Sequence, residues 1–215
     1  MNAVRAAAII PVKRFGSAKQ RLAPALEPEW RIALAAAMLD DVLDAVGAAA
    51  ALSDVIVVSG EGAARDAARE RGALVVEDDD TGHSEAATRG VKHALELGAE
   101  TVAILPGDCP LVDPSELDAA LARMSPRRVA IVPDRHGTGT NGLLLAPPDA
   151  ITPAFGPDSR RRHEALVAGA GLEGAVEPLR SLGLDLDTPA DLDALRAELR
   201  RDPAQAPHTA AELGQ

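Results

Sequence analysis

The sequence predicts an α/β fold, in which a mostly parallel, twisted sheet is flanked by helices. Short apolar runs rich in branched side chains recur along the chain, as expected for strands that are buried on both faces. Helix-length patterns separate most of these runs, which is typical of right-handed βαβ units. The last two runs have no helix-length spacer between them, so we expect one antiparallel excursion.

The individual elements follow from local patterns. In the first predicted helix, 28–46, apolar side chains recur at every fourth residue and therefore share one face. The predicted helices 63–71 and 85–97 are each followed by a glycine, the residue that most often ends a helix. Two more helices begin after a cap, Asp113 or Thr188, that precedes a proline and an acid. The predicted strands are 7–12, 55–58, 73–76, 102–105, 129–132 and 143–145.

Length and charge limit the domain count and the class of partner. A chain of 215 residues that is 47% hydrophobic can bury a sizeable core, and we expect a single domain over residues 1–200. The stretch 201–215 is polar and has no apolar periodicity, so it is predicted to be a mobile C-terminal tail. The net charge of −11 argues against nucleic-acid partners and anionic membranes, because both favour a basic surface.

Cysteine usage and hydropathy indicate the compartment. The lone Cys109 cannot form an intramolecular disulfide, and we expect a small buried residue there rather than a nucleophile. The N-terminal apolar stretch is too short for a secretion signal, and no window approaches the roughly 18 apolar residues of a membrane helix. We therefore expect a cytoplasmic enzyme or binding protein, whose oligomeric state the sequence does not specify.

A basic loop follows the first predicted strand. Lys13, Lys19 and Arg21 belong to the only concentrated cluster of positive charge in the first half of this acidic chain. Because the loop leaves the carboxyl end of a strand, its cations can reach the crevice at that edge of the sheet. Lys and Arg suit phosphate, so these residues are predicted to grip a triphosphate. A solvated charged turn is the alternative, and the segment alone favours neither.

Two acidic turns, 107–110 and 185–188, each close an apolar run. Loops that are distant in sequence converge at the carboxyl ends of the strands in an open α/β sheet. Asp185 and Asp187 would point to the same face of an extended segment, and two like charges that close usually need a cation. Neither turn needs its acids for helix capping, because another residue supplies each cap. Together with Asp108, these carboxylates predict a Mg²⁺ site that acts on a nucleotide.

Two later loops could receive an anion. The segment 137–142 matches G-x-G-x-x-G but precedes a strand, so it is not a dinucleotide fingerprint. It is either a glycine-rich turn or a loop whose backbone N–H groups and threonine hydroxyls bind an anion. The segment 155–159 leads into an arginine-rich helix that Asp158 or Ser159 can cap. That helix start is either an anion site or an ordinary capped surface helix.

The segment between the third strand and the next helix is strongly acidic. Its four successive acids, 77–80, are expected to form a solvated loop. His83 follows, near a helix start that Ser84 or Thr81 can cap. A histidine could act as a base there, but no nucleophile is signalled beside it. His83 is therefore a candidate for a binding loop.

Five segments, taken in order, resemble one protein family. The resemblance is to the phosphoenolpyruvate/2-phospholactate guanylyltransferases of deazaflavin coenzyme F-420 biosynthesis. At His83-Ser84 the chain departs from the Leu-Asn of many members. The five segments are 10–22, 107–110, 134–140, 155–159 and 185–189.

The resemblance implies a Rossmann-like nucleotidyltransferase fold and Mg²⁺ as the cofactor. It implies an enzyme that joins GTP to phosphoenolpyruvate or 2-phospho-L-lactate and releases pyrophosphate. It also implies roles by position, with Asp108 and the basic residues catalytic. Lys13, Lys19 and Arg21 would hold the GTP phosphates, Asp108, Asp185 and Asp187 would hold Mg²⁺, and Thr140, Gly156 and Ser159 would contact the acid substrate.

Other functions stay open beside this one. A related nucleotidyltransferase could use 3-phosphoglycerate, another phosphorylated small molecule or a different nucleoside triphosphate. Sugar-phosphate and molybdopterin enzymes are disfavoured, because their first loop carries several glycines and this one carries only Gly16. A nucleotide-sugar glycosyltransferase could use Asp185 and Asp187 as a metal-diphosphate motif, but the basic loop would then lack a purpose. A binding protein that retained the fold would bind ligands without releasing pyrophosphate.

Overall fold

The computed structural model describes residues 5–17, 20–23, 26–80 and 82–214, and the described residues form a seven-stranded sheet with helices on both faces. The strands are β1 Ala6–Val12, β2 Asp54–Ser59, β3 Leu74–Glu77, β4 Thr101–Ile104, β5 Arg128–Pro133, β6 Thr140–Ala146 and β7 Glu173–Val176. The helices are α1 Pro28–Ala48, α2 Gly62–Glu70, α3 His83–Glu96, α4 Pro114–Ala122, α5 Ser159–Gly169, α6 Pro189–Leu199 and α7 Pro207–Glu212. Short 3-10 turns lie at Phe15–Ser17, Gln20–Leu22, Arg180–Leu182 and Pro203–Gln205.

The strand order is β3-β2-β1-β4-β6-β5-β7. β6 runs antiparallel to both of its neighbours, β4 and β5, while the other neighbouring strands are parallel. The predicted fold class and its antiparallel excursion are therefore confirmed. β7 was not predicted, because this edge strand contains glutamate and glycine and is largely exposed, so it has no apolar run.

Two hydrophobic cores lie on opposite faces of the sheet. Ala8 and Ile10 of β1 enter the core beneath α1, whereas Ala7 and Ile9 enter the core beneath α3, because successive strand residues point to opposite faces. Gly90 lets α3 approach β1 closely, since a Cβ at this position would lie 2.3 Å from Ile9 Cγ2. This close packing holds α3 directly against the central strand β1.

The predicted helix caps that flank the acidic turns are confirmed. Asp113 accepts a hydrogen bond from the Ser115 N–H at the start of α4. Thr188 and Asp191 form a reciprocal capping box at the start of α6. The helix that follows each acidic turn is thus capped without Asp108, Asp185 or Asp187.

The prediction of a mobile tail after residue 200 differs from the structure. Residues 203–213 form a 3-10 turn and α7, which packs against α1 with Ala206 and Thr209 fully buried. The two carboxylate oxygens of Asp41 in α1 accept hydrogen bonds from the His208 and Thr209 N–H groups at 3.0 and 2.8 Å. This cap lies far away in the sequence, which is why local composition missed it, and the domain extends to the end of the described residues.

The acidic run after β3 is solvated as expected at Glu77, Asp79 and Asp80, which are exposed, but not at Asp78. Asp78 is buried, Asp80 pairs with Arg14 of the first loop, and Asp79 pairs with Arg89 of α3. These ion pairs tie the run to two neighbouring elements.

Among the helices of the described residues, none combines the length and the hydropathy of a membrane span.

Candidate active site

A cleft of about 900 Å³ opens where β1 and β4 end and the antiparallel β6 begins. Its volume is that of a small-molecule site, which is typically about 300–1,000 Å³. Most of the residues that the sequence singled out line this cleft, while Lys19 lies outside the described residues. The predicted residues on its surface are Lys13, Arg21, Asp108, Thr140, Gly156, Ser159, Asp185 and Asp187.

Three of these residues form what we call the acidic wall: Asp108, Asp185 and Asp187. Its two turns are joined directly, because the Leu186 N–H donates to the Asp108 carbonyl oxygen at 3.3 Å. Burial raises the pKa of Asp185, and the negative charges of Asp108 and Asp187 raise this pKa further. The carboxylates of Asp108 and Asp187 are therefore close enough to Asp185 to repel its negative charge.

Asn141, at the start of β6, holds Asp185 in place. Its side-chain amide donates to the Leu182 carbonyl at 2.8 Å and to Asp185 Oδ1 at 3.2 Å. The second hydrogen bond favours the charged carboxylate and partly offsets the effect of burial on its pKa. No local pattern signals this role, because Asn141 lies inside a glycine-rich run.

Asp191 positions the other end of the acidic wall. Its Oδ2 accepts hydrogen bonds from the Asp187 N–H at 3.1 Å and from the Thr188 N–H at 2.6 Å. Its Oδ1 pairs with Arg135 at 2.5 Å. The turn that carries Asp187 is thereby connected both to α6 and to the loop before β6.

The fit of a metal ion to the acidic wall can be judged from its donors. Within the described ranges, no group of three or more Asp, Glu, His or Cys side chains stands close enough to hold a metal ion by itself. Mg²⁺ usually takes one or two carboxylates and completes its octahedron with waters and substrate phosphates. The acidic wall fits that mode of binding, and the Mg²⁺ site stays a prediction.

The basic loop after β1 is held by the end of β2. Ser59 Oγ donates to the Val12 carbonyl at 2.8 Å, and Glu61 Oε2 accepts from the Phe15 N–H at 3.1 Å. Lys13 and Arg21 are exposed and reach the cleft from this loop. Their charges face the same cavity as the acidic wall.

The glycine-rich loop before β6 is a structured turn. Asp134 Oδ1 accepts from the Thr138 N–H at 2.9 Å, and the Asp134 carbonyl accepts from the Gly137 N–H at 3.0 Å. A Cβ at Gly139 would lie 2.7 Å from Asp134 Oδ2, so a side chain there would displace the Asp134 carboxylate. The turn uses these N–H groups internally, although Thr138 and Gly139 still line the cleft.

The opposite edge of the cleft is built from β6 and the start of α5, and we call Thr140, Gly156 and Ser159 the cradle. Gly156 has a φ of +114°, which a residue with a side chain rarely adopts. Its carbonyl accepts from the Ser159 N–H at 3.1 Å, and Ser159 is 2% exposed. Asp158 precedes α5 in a left-handed conformation and makes no side-chain cap, so the predicted capping is not observed.

His83 lies between the cleft and a second, smaller cavity of about 190 Å³. Burial and the nearby charge of Lys13 lower the pKa of His83 to about 4, so the ring is neutral near pH 7. Its ring meets Phe155 edge-on at a centroid distance of 4.8 Å. The smaller cavity is also lined by Lys13, Asp78 and Asp80.

Similarity to known proteins agrees with this geometry. A phosphoenolpyruvate guanylyltransferase of Conexibacter woesei is 47% identical over 97% of this chain and 95% of its own length. One of Sphaerobacter thermophilus is 41% identical over 87% of this chain and 91% of its own length. A solved nucleotidyl transferase of Methanothermobacter shares the fold, with a TM-score of 0.71 at 20% identity over 92% of this chain and 98% of that one. Residues 6–197 match the family described as guanylyl transferase CofC like, and the chain therefore belongs to that family of nucleotidyltransferases.

Proposed function

We propose that this protein joins GTP to phosphoenolpyruvate, forming a diphosphate-linked guanosine and releasing pyrophosphate. The observation that supports this most is the composition of the 900 Å³ cleft. Cations from the β1 loop, the acidic wall and the small polar cradle all line it. The relatives from Conexibacter and Sphaerobacter are named for the same reaction.

The proposed reaction is an in-line displacement. A phosphate oxygen of the acid substrate attacks the α-phosphorus of GTP, and the bond from that phosphorus to the β-phosphate oxygen breaks. A phosphate monoester is largely deprotonated near neutral pH, since its second pKa is about 6, so no dedicated base is required. Catalysis then depends on positioning and on neutralising the charge of the pyrophosphate that leaves.

Lys13, Lys19 and Arg21 are proposed to hold the triphosphate and the departing pyrophosphate. Lys13 and Arg21 line the cleft, and both follow the carboxyl end of β1. Positive side chains suit this task because negative charge accumulates on the leaving oxygens. Lys19 is included because the resemblance implies it.

The acidic wall is proposed to hold Mg²⁺ through Asp108, Asp185 and Asp187. When bound, the ion would supply positive charge that offsets the charge of the substrate phosphates. The raised pKa of Asp185 supports this assignment, because a carboxylate that is held among like charges is stabilised by a cation.

The cradle is proposed to receive the acid substrate. Thr140 and Ser159 offer hydroxyl groups, and Gly156 leaves room for the ligand to approach the backbone. Phosphoenolpyruvate and 2-phospho-L-lactate both present a phosphate and a carboxylate to such groups. The names of the relatives favour phosphoenolpyruvate.

The smaller cavity is proposed to receive the guanine. It shares Lys13 and His83 with the main cleft, so a base there could remain attached to phosphates in the cleft. Asp78 and Asp80 supply carboxylate acceptors. Guanine presents N–H donors on its pairing edge, whereas adenine presents a ring acceptor at the corresponding position. This difference favours GTP over ATP.

A pyrophosphate-release assay tests the proposal directly. Phosphoenolpyruvate, 2-phospho-L-lactate and 3-phosphoglycerate would each be combined with GTP, ATP and CTP in the presence of Mg²⁺. We expect the highest kcat/KM for phosphoenolpyruvate with GTP. Release with another pair would replace the substrate assignment, and release with none would overturn the proposed function.

A further inference from the structure

A fully buried imidazole lies directly behind the cradle. His163, in α5, is 0% exposed and does not line the cleft. Its Nδ1 is 3.0 Å from Thr140 Oγ1, and its Nε2 accepts a hydrogen bond from the Ala154 N–H at 2.9 Å. One side chain thus connects β6 with the segment that leads to Gly156.

The hydrogen bonds determine which ring nitrogen carries the proton. A backbone N–H can only donate, so Nε2 of His163 must be the unprotonated acceptor. Burial and the charge of Arg162 lower the pKa of His163 to about 4, so the ring is neutral near pH 7. A neutral imidazole keeps one proton, which is therefore on Nδ1.

This tautomer fixes the direction of the bond to Thr140. The Nδ1–H of His163 donates to Thr140 Oγ1, which acts as the acceptor. The hydroxyl proton of Thr140 is then available to donate elsewhere, and Thr140 lines the cleft. An anionic substrate needs a donor at this position, so the buried ring presents the hydroxyl in the useful orientation.

Ala154, the other hydrogen-bond partner of His163, lies in a segment that further contacts hold in place. The Ala154 carbonyl accepts from Arg162 Nε at 3.2 Å, and the Phe155 N–H donates to Ser84 Oγ at 2.9 Å. The Phe155 ring packs edge-on against His163 at a centroid distance of 5.2 Å. His163 therefore belongs to a set of contacts that hold the backbone immediately before Gly156.

We propose that His163 is a positioning residue, which orients the Thr140 hydroxyl as a hydrogen-bond donor to the acid substrate and anchors the backbone before Gly156. The proposal rests on the proposed function of the cradle. It assigns specificity for the acid, and not for the nucleotide, to a side chain that touches neither substrate.

Two conservative substitutions separate the two hydrogen bonds. In His163→Asn the amide nitrogen can replace Nδ1 as the donor to Thr140, while the acceptor for Ala154 is lost. In His163→Gln the amide oxygen can replace Nε2 as the acceptor for Ala154, while the donor to Thr140 is lost. We expect His163→Gln to raise the KM for phosphoenolpyruvate about three- to tenfold, as for the loss of one hydrogen bond. His163→Asn should raise it less, and the KM for GTP should stay the same in both.

The double variant with Thr140→Val removes the hydroxyl on which the inference depends. In that background the donor to Thr140 no longer matters, so His163→Gln should not raise the KM for phosphoenolpyruvate above that of Thr140→Val alone. His93→Gln, on the solvent side of α3, is the matched control and should leave both KM values unchanged. Equal effects of His163→Gln and His163→Asn, or a KM for GTP that rises as much as that for phosphoenolpyruvate, would overturn the proposal.

Calorimetric titration of each substrate separates this inference from the proposed function. If the wild-type protein binds phosphoenolpyruvate but releases no pyrophosphate, the proposed reaction fails. The Kd values of the same variants then decide the role of His163, with a weaker Kd for phosphoenolpyruvate in His163→Gln as the expected result. If the wild-type protein does not bind phosphoenolpyruvate, both proposals are wrong.

Discussion

The acidic wall and the cradle line the same cleft, but the fold holds them in opposite ways. In the acidic wall, like charges oppose one another, and burial together with Asp108 raises the pKa of Asp185. In the cradle, the neutral ring of His163 satisfies Thr140 and Ala154 with matched hydrogen bonds. The difference indicates that the acidic wall carries charge repulsion that a bound cation would relieve, whereas the cradle is organised in advance.

The largest expected effect comes from removing a carboxylate of the acidic wall. Asp108→Asn or Asp187→Asn should lower kcat about 10²- to 10³-fold, as for other losses of an electrostatic contact at a reacting group. Pyrophosphate release under saturating Mg²⁺ measures this effect, and circular dichroism checks the fold. Asp193→Asn, on the exposed side of α6, is the matched control. Near wild-type turnover in either variant would refute the assignment of the acidic wall.

The second prediction tests whether the acidic wall is under electrostatic strain. Asp185→Asn removes the carboxylate with the raised pKa and leaves an oxygen that can still accept from Asn141. Without Mg²⁺ at pH 7, we expect Tm to rise by about 2–4 °C, which corresponds to about 1 kcal/mol in a domain of this size. Mg²⁺ should raise Tm more in the wild-type protein than in this variant. A lower Tm for the variant would argue that Asp185 is structural.

The smallest expected effect is the pH dependence that His163 adds to the cradle. Below its ordinary pKa of 6.5, His163 takes up a proton in the unfolded chain, but in the native protein it does so only near pH 4. Native stability should therefore fall between pH 6.5 and about 4, and His83, whose pKa is also lowered to about 4, contributes to the fall. Tm should decline less in His163→Gln than in the wild-type protein across this range. An identical decline would contradict the buried, neutral state of His163.

Local sequence patterns predicted most of the fold. The branched apolar runs marked six strands, and the Thr188 cap marked the start of α6. The edge strand β7 and the packed helix α7 were missed. Their stability comes from distant partners, namely β5 for the former and Asp41 for the latter.

The same contrast between local patterns and distant contacts applies to the candidate active site. Asp108 and Asp185 were found because an acid that ends an apolar run needs an explanation beyond solubility. Asn141 and His163 were missed because their roles depend on contacts across the sheet that no spacing reveals. Asp191 lay in a recognised capping box, but its bond to the Asp187 N–H becomes apparent only in three dimensions.

The proposed function requires the cleft to transfer a guanylyl group to a phosphorylated acid. The most direct test is mass spectrometry of the product formed from GTP and phosphoenolpyruvate, with pyrophosphate quantified in the same reaction. We expect a guanosine joined to phosphoenolpyruvate through a diphosphate, with one pyrophosphate released for each product molecule. Free GMP or GDP as the nucleotide product, or pyrophosphate release that does not require the acid, would contradict it.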